Sequence, residues 1–315
     1  MAGLYDCRAM RIPELLSARR SRGEPSFSFE VFPPKSEEAA VELFEALTEL
    51  RRLSPDFASV TYGAAGSTRD GTVEVSTRLL HEIGIETMAH LSCVGETIEG
   101  LDAILGRLNE AGIENILALR GDPPAGASDF TAPAGGLRGS AELAAFIHER
   151  GNWGVGGSCF PEIHPEAASP EADIAYLKEK VDSGAEFVIS QLFFDNAVFF
   201  AWLERVRGAG IEVPVLVGVL PIRSYAGLVR FCEVCQARIP EPLHEALRAC
   251  GGDPTAERSL GVAYAARQCD ELLAGGVDGL HFYTLNKADS TLAVVGALNA
   301  ARPWTRAPST TPTPG

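Results

Sequence analysis

Eight short apolar runs recur along this chain, and a helix-like segment follows nearly every one of them. The runs end near residues 32, 60, 90, 119, 159, 193, 217 and 283. Helix-like segments read at 36–53, 71–83, 97–111, 140–150, 171–183, 196–208, 224–236, 255–275 and 287–300. Ser36, Thr97 and Ser140 are cap candidates at their starts, and glycines such as Gly112 and Gly184 follow several of their ends. Strands joined through helices run parallel, because each crossover returns the chain to the same edge. Eight such units in roughly 250 residues predict an α/β protein, a (βα)₈ TIM barrel, over an open doubly wound sheet. No GxGxxG follows the first run, which weighs further against a dinucleotide-binding Rossmann domain.

Three parts are expected. Residues 1–24 read as an N-terminal helical arm, with Ile12, Leu15 and Leu16 at helical spacing ahead of a basic cluster at Arg19, Arg20 and Arg22. Residues 25–302 form the barrel, with an extra short helix expected within 240–254 and a long Gly/Pro-rich loop at 123–139. Residues 303–315, rich in Pro, Thr and Ser, read as a disordered tail. A formal charge of −15 argues against nucleic acid or an anionic membrane as partner. No stretch has the apolar length of a membrane span or the core of a signal peptide. Seven cysteines, without disulfide-framework spacing, suit a reducing cytoplasm. Cys232 and Cys235 form a lone CxxC inside a helix-like segment, where helix-face burial is expected over zinc or redox chemistry.

In a parallel barrel all strand C-terminal ends open on one face, and that face carries the chemistry. Unusual polar residues sit at those ends. Glu30 lies among Phe29, Val31 and Phe32 before two prolines, a setting that strips solvent from a carboxyl and favours its protonated form. That suits a general acid; a rim glutamate paired with a cation is the alternative. Asp122 follows Arg120-Gly121 and reads either as a ligand or charge-stabilising group or as ordinary turn chemistry. His90 and His164 close other runs without metal-ligand spacing, so hydrogen bonding is expected and no metal site. Gln191 sits in an apolar run where a ligand or a cross-strand bond could satisfy its amide. Of Lys178 and Lys180, one could reach a phosphate if it faces the mouth, although a solvated helix face is the ordinary reading.

Eight blocks in order carry a specific resemblance: Ser28–Pro34, Val60–Ala64, His90–Cys93, Leu119–Pro124, Pro161–Glu166, Gln191–Asp195, Gly218–Pro221 and His281–Asn286. Over residues 26–300 the chain resembles the methylenetetrahydrofolate reductases, in the short bacterial form that is a catalytic barrel alone. The resemblance implies a cytoplasmic, homo-oligomeric flavoprotein that binds FAD, takes a hydride from NADH or NADPH, and reduces 5,10-methylenetetrahydrofolate to 5-methyltetrahydrofolate. It implies Glu30 as the general acid that opens the folate's five-membered ring and Asp122 as the charge that favours the iminium. FAD contacts are implied for Thr61, Tyr62, Ala64, His90, Arg120, Gly121, Asp122, His164, Ala167, Asp173 and Lys180, and folate or nicotinamide contacts for Gln191 and Phe231.

Several positions depart from the family pattern. Gly139 and Ser140 stand where a Tyr-Ala pair is common beside the flavin, Phe160 replaces a frequent tyrosine, and Tyr176 replaces an asparagine. Ser140, Phe160 and Tyr176 are therefore expected at the cofactor with altered chemistry. Gly227 stands where a folate-contacting glutamine can occur. Lys287 is expected at the substrate in place of an arginine, a point charge instead of a fork. These differences bear on FAD and folate affinity. They leave two other readings open: a relative acting on another folate-like donor, and a non-catalytic flavin- or folate-binding subunit.

Overall fold

In this computed structural model the described residues are 10–62, 69–121, 132 and 135–306. Strands β1 (Ser26–Val31), β2 (Phe57–Val60), β3 (Thr87–Ser92), β4 (Asn115–Leu119), β5 (Gly154–Cys159), β6 (Phe187–Ser190), β7 (Val215–Val219) and β8 (Gly279–Tyr283) pair in parallel in sequence order. β8 closes on β1, with Ser28 opposite His281 and Glu30 opposite Tyr283. Because side chains alternate faces along a strand, each strand feeds two cores. One set, including Phe57, Met88, Leu117, Phe187, Ile189 and Leu216, packs inside the barrel. The other, including Phe29, Val31, Ala58, Val60, Val217 and Phe282, packs outward against helices.

The expected helices form. They are α2 (Glu37–Arg51), α3 (Arg69–Arg78), α4 (Ile98–Glu110), α5 (Ser140–His148), α6 (Pro170–Asp182), α7 (Asn196–Gly208), α8 (Tyr225–Cys235), α10 (Pro254–Ala274) and α11 (Asp289–Ala301). The additional helix is α9 (Glu241–Ala249). Ser36 and Thr97 cap α2 and α4 by accepting the Ala39 and Gly100 amides, as their spacing predicts. Ser140 is not a cap: it is buried as the first residue of α5, and Gly139 precedes it in an extended conformation. After α3 the chain widens into a π turn, Leu79–Ile83, that ends at left-handed Gly84.

The N-terminal arm contains α1 (Ile12–Ser21), which seals the barrel end opposite the mouth. Its Ile12 and Leu16 enter the interior core beside Phe57 and Phe187. The Ile12 amide donates to Asn115 Oδ1 at 2.7 Å, and the Asn115 amide donates to the Met10 carbonyl and to Glu86. Arg11, Arg19 and Arg20 pair with Glu186, Asp56 and Asp278, acids that lie just ahead of β6, β2 and β8. At the other terminus the expected disorder does not begin at residue 303. Pro303–Thr305 form a 3₁₀ turn in which Trp304 meets Phe27 edge-on at 5.8 Å, so an aromatic contact overrides the composition. Residues 307–315 lie outside the described residues. Among the described residues no helix is long and apolar enough to cross a membrane.

Candidate active site

Glu30 occupies the last inward position of β1, and its backbone is held from the neighbouring strand end. Thr284 Oγ1 donates to the Glu30 carbonyl at 2.7 Å, while Asn286 accepts from the Phe32 amide and donates to its carbonyl. Leu285 and Asn286 hold left-handed conformations to make that clamp. The Glu30 side chain is 12% exposed, with Oε2 lying 3.5 Å from His90 Nε2 and 4.0 Å from His281 Nε2. No lysine or arginine lies within 4.0 Å of it among the described residues, so the cation-paired reading does not hold there. Burial holds the His90 imidazole down to about 4, against the opposing pull of Glu30. Its Nε2 is buried and has no hydrogen-bond partner among the described residues.

The strand ends beyond Glu30 gather most of the other expected residues. The Thr61 amide donates to the Val31 carbonyl, and Tyr62 donates its hydroxyl to Glu96 at 2.9 Å. Arg120 grips the Glu166 carboxylate with both terminal nitrogens, the Nη2–Oε1 contact being 2.7 Å. Gly121 has φ +87°, and a Cβ there would lie 2.0 Å from Ser92 Oγ, so only glycine fits this turn. His164 Nδ1 accepts the Glu166 amide, and Asp173 accepts the His164 amide at 3.1 Å. The Phe160 and His164 rings meet edge-on at 4.6 Å. Ala167 is half-buried in the same turn, its amide donating to the His164 carbonyl.

Lys180 and Lys178 separate cleanly. Lys178 is exposed and pairs with Asp182, whereas Lys180 is 5% exposed and donates to the Ser158 carbonyl at 2.8 Å. Burial lowers the Lys180 pKa from its ordinary range and raises that of Asp173. The Lys180 ammonium has no carboxylate within 4.0 Å among the described residues, and it lies 5.1 Å from the Tyr176 ring and 5.8 Å from the Phe160 ring. Tyr176 in turn fills the space beside Gly139: a Cβ on Gly139 would sit 2.5 Å from the Tyr176 hydroxyl, which is also 3.4 Å from Ser140 Oγ.

Three substrate candidates lie around the same mouth. Gln191 follows β6 and accepts the Leu192 amide with Oε1, leaving its amide nitrogen without a partner among the described residues. Phe231 of α8 packs on the cluster that contains Leu192, Phe194 and Leu220. Lys287 is half-exposed and ion-paired to Glu42 of α2 at 2.7 Å. Ala64 and Asp122 lie outside the described residues, as does most of the 123–139 loop. Among the described residues no group of His, Cys, Asp and Glu has a metal-holding arrangement. Cys232 and Cys235 lie on α8, and burial pushes the Cys232 thiol up to about 12. Sequence reasoning passed over His281, Ser28 and Ser59 as site residues. Their one signal was strand parity, since Ser28 shares a face with Glu30, and His281 with Tyr283.

A family profile described as methylenetetrahydrofolate reductase matches residues 15–299, nearly the whole chain. The chain belongs to the methylenetetrahydrofolate reductase family. It is 35% identical over 316 aligned positions to methylenetetrahydrofolate reductase (NADH) 1 of Arabidopsis thaliana, covering 94% of this chain and 53% of that protein. It thus spans about half the length of that plant relative. To the 5,10-methylenetetrahydrofolate reductase of Escherichia coli it is 33% identical, covering 88% of this chain and 92% of that one. Among solved structures, a Clostridium thermocellum protein that binds two copies of 5-methyl-5,6,7,8-tetrahydrofolic acid superimposes with a TM-score of 0.62. It shares 16% identity and covers 91% of this chain and 99% of its own, a likeness of fold.

Proposed function

We propose that the protein reduces 5,10-methylenetetrahydrofolate to 5-methyltetrahydrofolate with NADH or NADPH as donor and FAD as the bound redox group. Two features of the mouth fit FAD. Lys180 is a buried ammonium flanked by aromatic rings with no carboxylate partner among the described residues, a fixed charge suited to a diphosphate. His90 Nε2 is a buried polar atom without a hydrogen-bond partner among the described residues, suited to a polar edge of a ring. Thr61, Tyr62, Arg120, Gly121, His164, Asp173 and Tyr176 would complete the holding set, with Arg120 exchanging Glu166 for phosphate. Bound there, FAD would supply hydride transfer between the nicotinamide and the folate.

The protein's own part is positioning and proton transfer. Glu30 would give its proton to the folate nitrogen that leaves when the five-membered ring opens, so the one-carbon unit becomes an iminium ready to accept hydride. One proton from Glu30 and one hydride yield the methyl product, and the carboxylate regains its proton from water. Gln191 and Phe231 would orient nicotinamide and folate in turn at the same face, and Lys287 would meet the carboxylates of the folate tail. Asp122 retains the role the resemblance implies, a negative charge near the cation.

The observation that carries this reading is the Glu30 carboxyl, shielded at the barrel mouth against two imidazoles with no lysine or arginine beside it among the described residues. Glu30→Gln separates the two halves of the reaction. The variant should load FAD and accept hydride from NAD(P)H at near wild-type rate, while folate reduction falls about 10²-fold or more. Equal loss of both steps, or no loss of the folate step, would contradict the assignment.

A further inference from the structure

The barrel interior contains a polar layer that apolar packing does not require. His281 on β8 is 0% exposed, its ring stacked on Phe57 at 5.9 Å with 22° between planes. Tyr283 meets the same imidazole edge-on at 5.7 Å. A phenylalanine would fill this space without a polar atom to satisfy. An imidazole brings two ring nitrogens, and each needs a partner when buried. The chain supplies them: Ser28 Oγ lies 2.8 Å from Nδ1, and Ser59 Oγ lies 3.3 Å from Nε2. Both serines are buried. Ser28 stands two residues before Glu30 on the same face of β1, and Ser59 is the register partner of Glu30 on β2. Three strands therefore give up apolar volume to build Ser28–His281–Ser59, with Ser28 and His281 below the Glu30 carboxyl and Ser59 beside it.

His281 Nε2 is turned toward that carboxyl, 4.0 Å from Oε2, the same oxygen that His90 Nε2 approaches to 3.5 Å. Tyr283 on β8 is a further titratable group facing Glu30, and it in turn faces Cys159 on β5 and Cys235 on α8. Burial keeps Tyr283 and Cys159 protonated, and the Tyr283 hydroxyl is committed to the Ser190 carbonyl at 2.7 Å. Two imidazole edges thus converge on one carboxyl oxygen, and serines lock the deeper ring in place.

We propose that His281, held between Ser28 and Ser59, is a positioning residue for Glu30: it fixes the direction in which the carboxyl presents its proton. His281 is fully buried beneath Glu30 and gives up no proton itself. The inference rests on Glu30 acting as the acid, and it adds the residue that sets the acid's geometry.

The test uses FAD-loaded protein and has two arms. In the first, imidazole ¹⁵N resonances of wild type and Glu30→Gln are followed against pH, with the His281 signal assigned by its loss in His281→Phe. Glu30→Gln should move the His281 resonances. Unmoved resonances overturn the proposal, whatever reaction the protein performs. In the second arm, the folate and nicotinamide half-reactions of His281→Phe and His281→Gln are measured across pH. His281→Phe should slow the folate step about 10-fold or more and displace its pH profile, with flavin reduction nearly unchanged. His281→Gln, whose amide reaches the Nε2 position, should restore part of the loss. Equal slowing of both half-reactions with an unshifted profile marks a purely structural histidine and overturns the proposal. Failure of the reductase reading looks different: wild type itself would not reduce the folate, while the resonance arm still reports on the contact.

Discussion

His90 takes up a proton only near pH 4 in the folded protein, against an ordinary value of 6.5, because burial disfavours the imidazolium. Between those values the unfolded chain binds a proton that the folded one does not. The contribution of His90 to stability is therefore complete above about pH 6.5 and is lost as pH falls toward 4. The slope from one such group is up to about 1.4 kcal/mol per pH unit. Chemical denaturation at several pH values in that window should show a shallower slope for His90→Asn than for wild type; equal slopes would contradict the burial argument. Gly139 gives a second test. A Cβ there meets the Tyr176 hydroxyl, so Gly139→Ala should cost about 1 kcal/mol and Tyr176→Asn should remove that cost in the double variant. Additive effects in thermal melts would show the two positions to be independent. Glu30 and His90 were legible as candidates because strand ends mark them, whereas the residues alone did not separate Lys180 from Lys178 on the same helix. The Ser28–His281–Ser59 layer was not, because it depends on strand register and closure of β8 on β1, which no local pattern encodes.

The helical spacing of Ile12, Leu15 and Leu16 announced α1, yet the surface it covers could not be read from it. Its partners are Asn115 and acids just ahead of strands scattered over more than 200 residues, brought to one end only by barrel closure. Asn115 is fully buried and satisfies the Ile12 amide, the Met10 carbonyl and Glu86 at once. Asn115→Ala should destabilise the protein by about 2–3 kcal/mol, because it leaves buried polar groups unpaired. Limited proteolysis should then cut first near residue 10. An unchanged unfolding midpoint and cleavage pattern would show that α1 is held by its apolar face alone. At the other end, Pro/Thr-rich composition pointed to disorder from residue 303, but the Trp304–Phe27 contact extends the order through a further turn. Composition averages over a segment and misses one large ring with a waiting pocket.

For the molecule as a whole, alternation of apolar runs with helices foretold the closed parallel barrel, since parallel strands demand crossovers and eight units suffice to close. The rim followed from the fold, because strand C-termini share one face. An acidic chain nevertheless keeps Arg120 and Lys180 at the mouth, where an anionic cofactor would need them. The most direct measurement is an anaerobic stopped-flow absorbance trace of FAD-loaded protein mixed first with NADH or NADPH and then with 5,10-methylenetetrahydrofolate. The flavin band should bleach with at least one nicotinamide and return when the folate is added, with 5-methyltetrahydrofolate formed in equal amount. A band that neither nicotinamide bleaches, or a bleached band that the folate leaves unchanged, would contradict the hydride relay and the proposed role of the mouth.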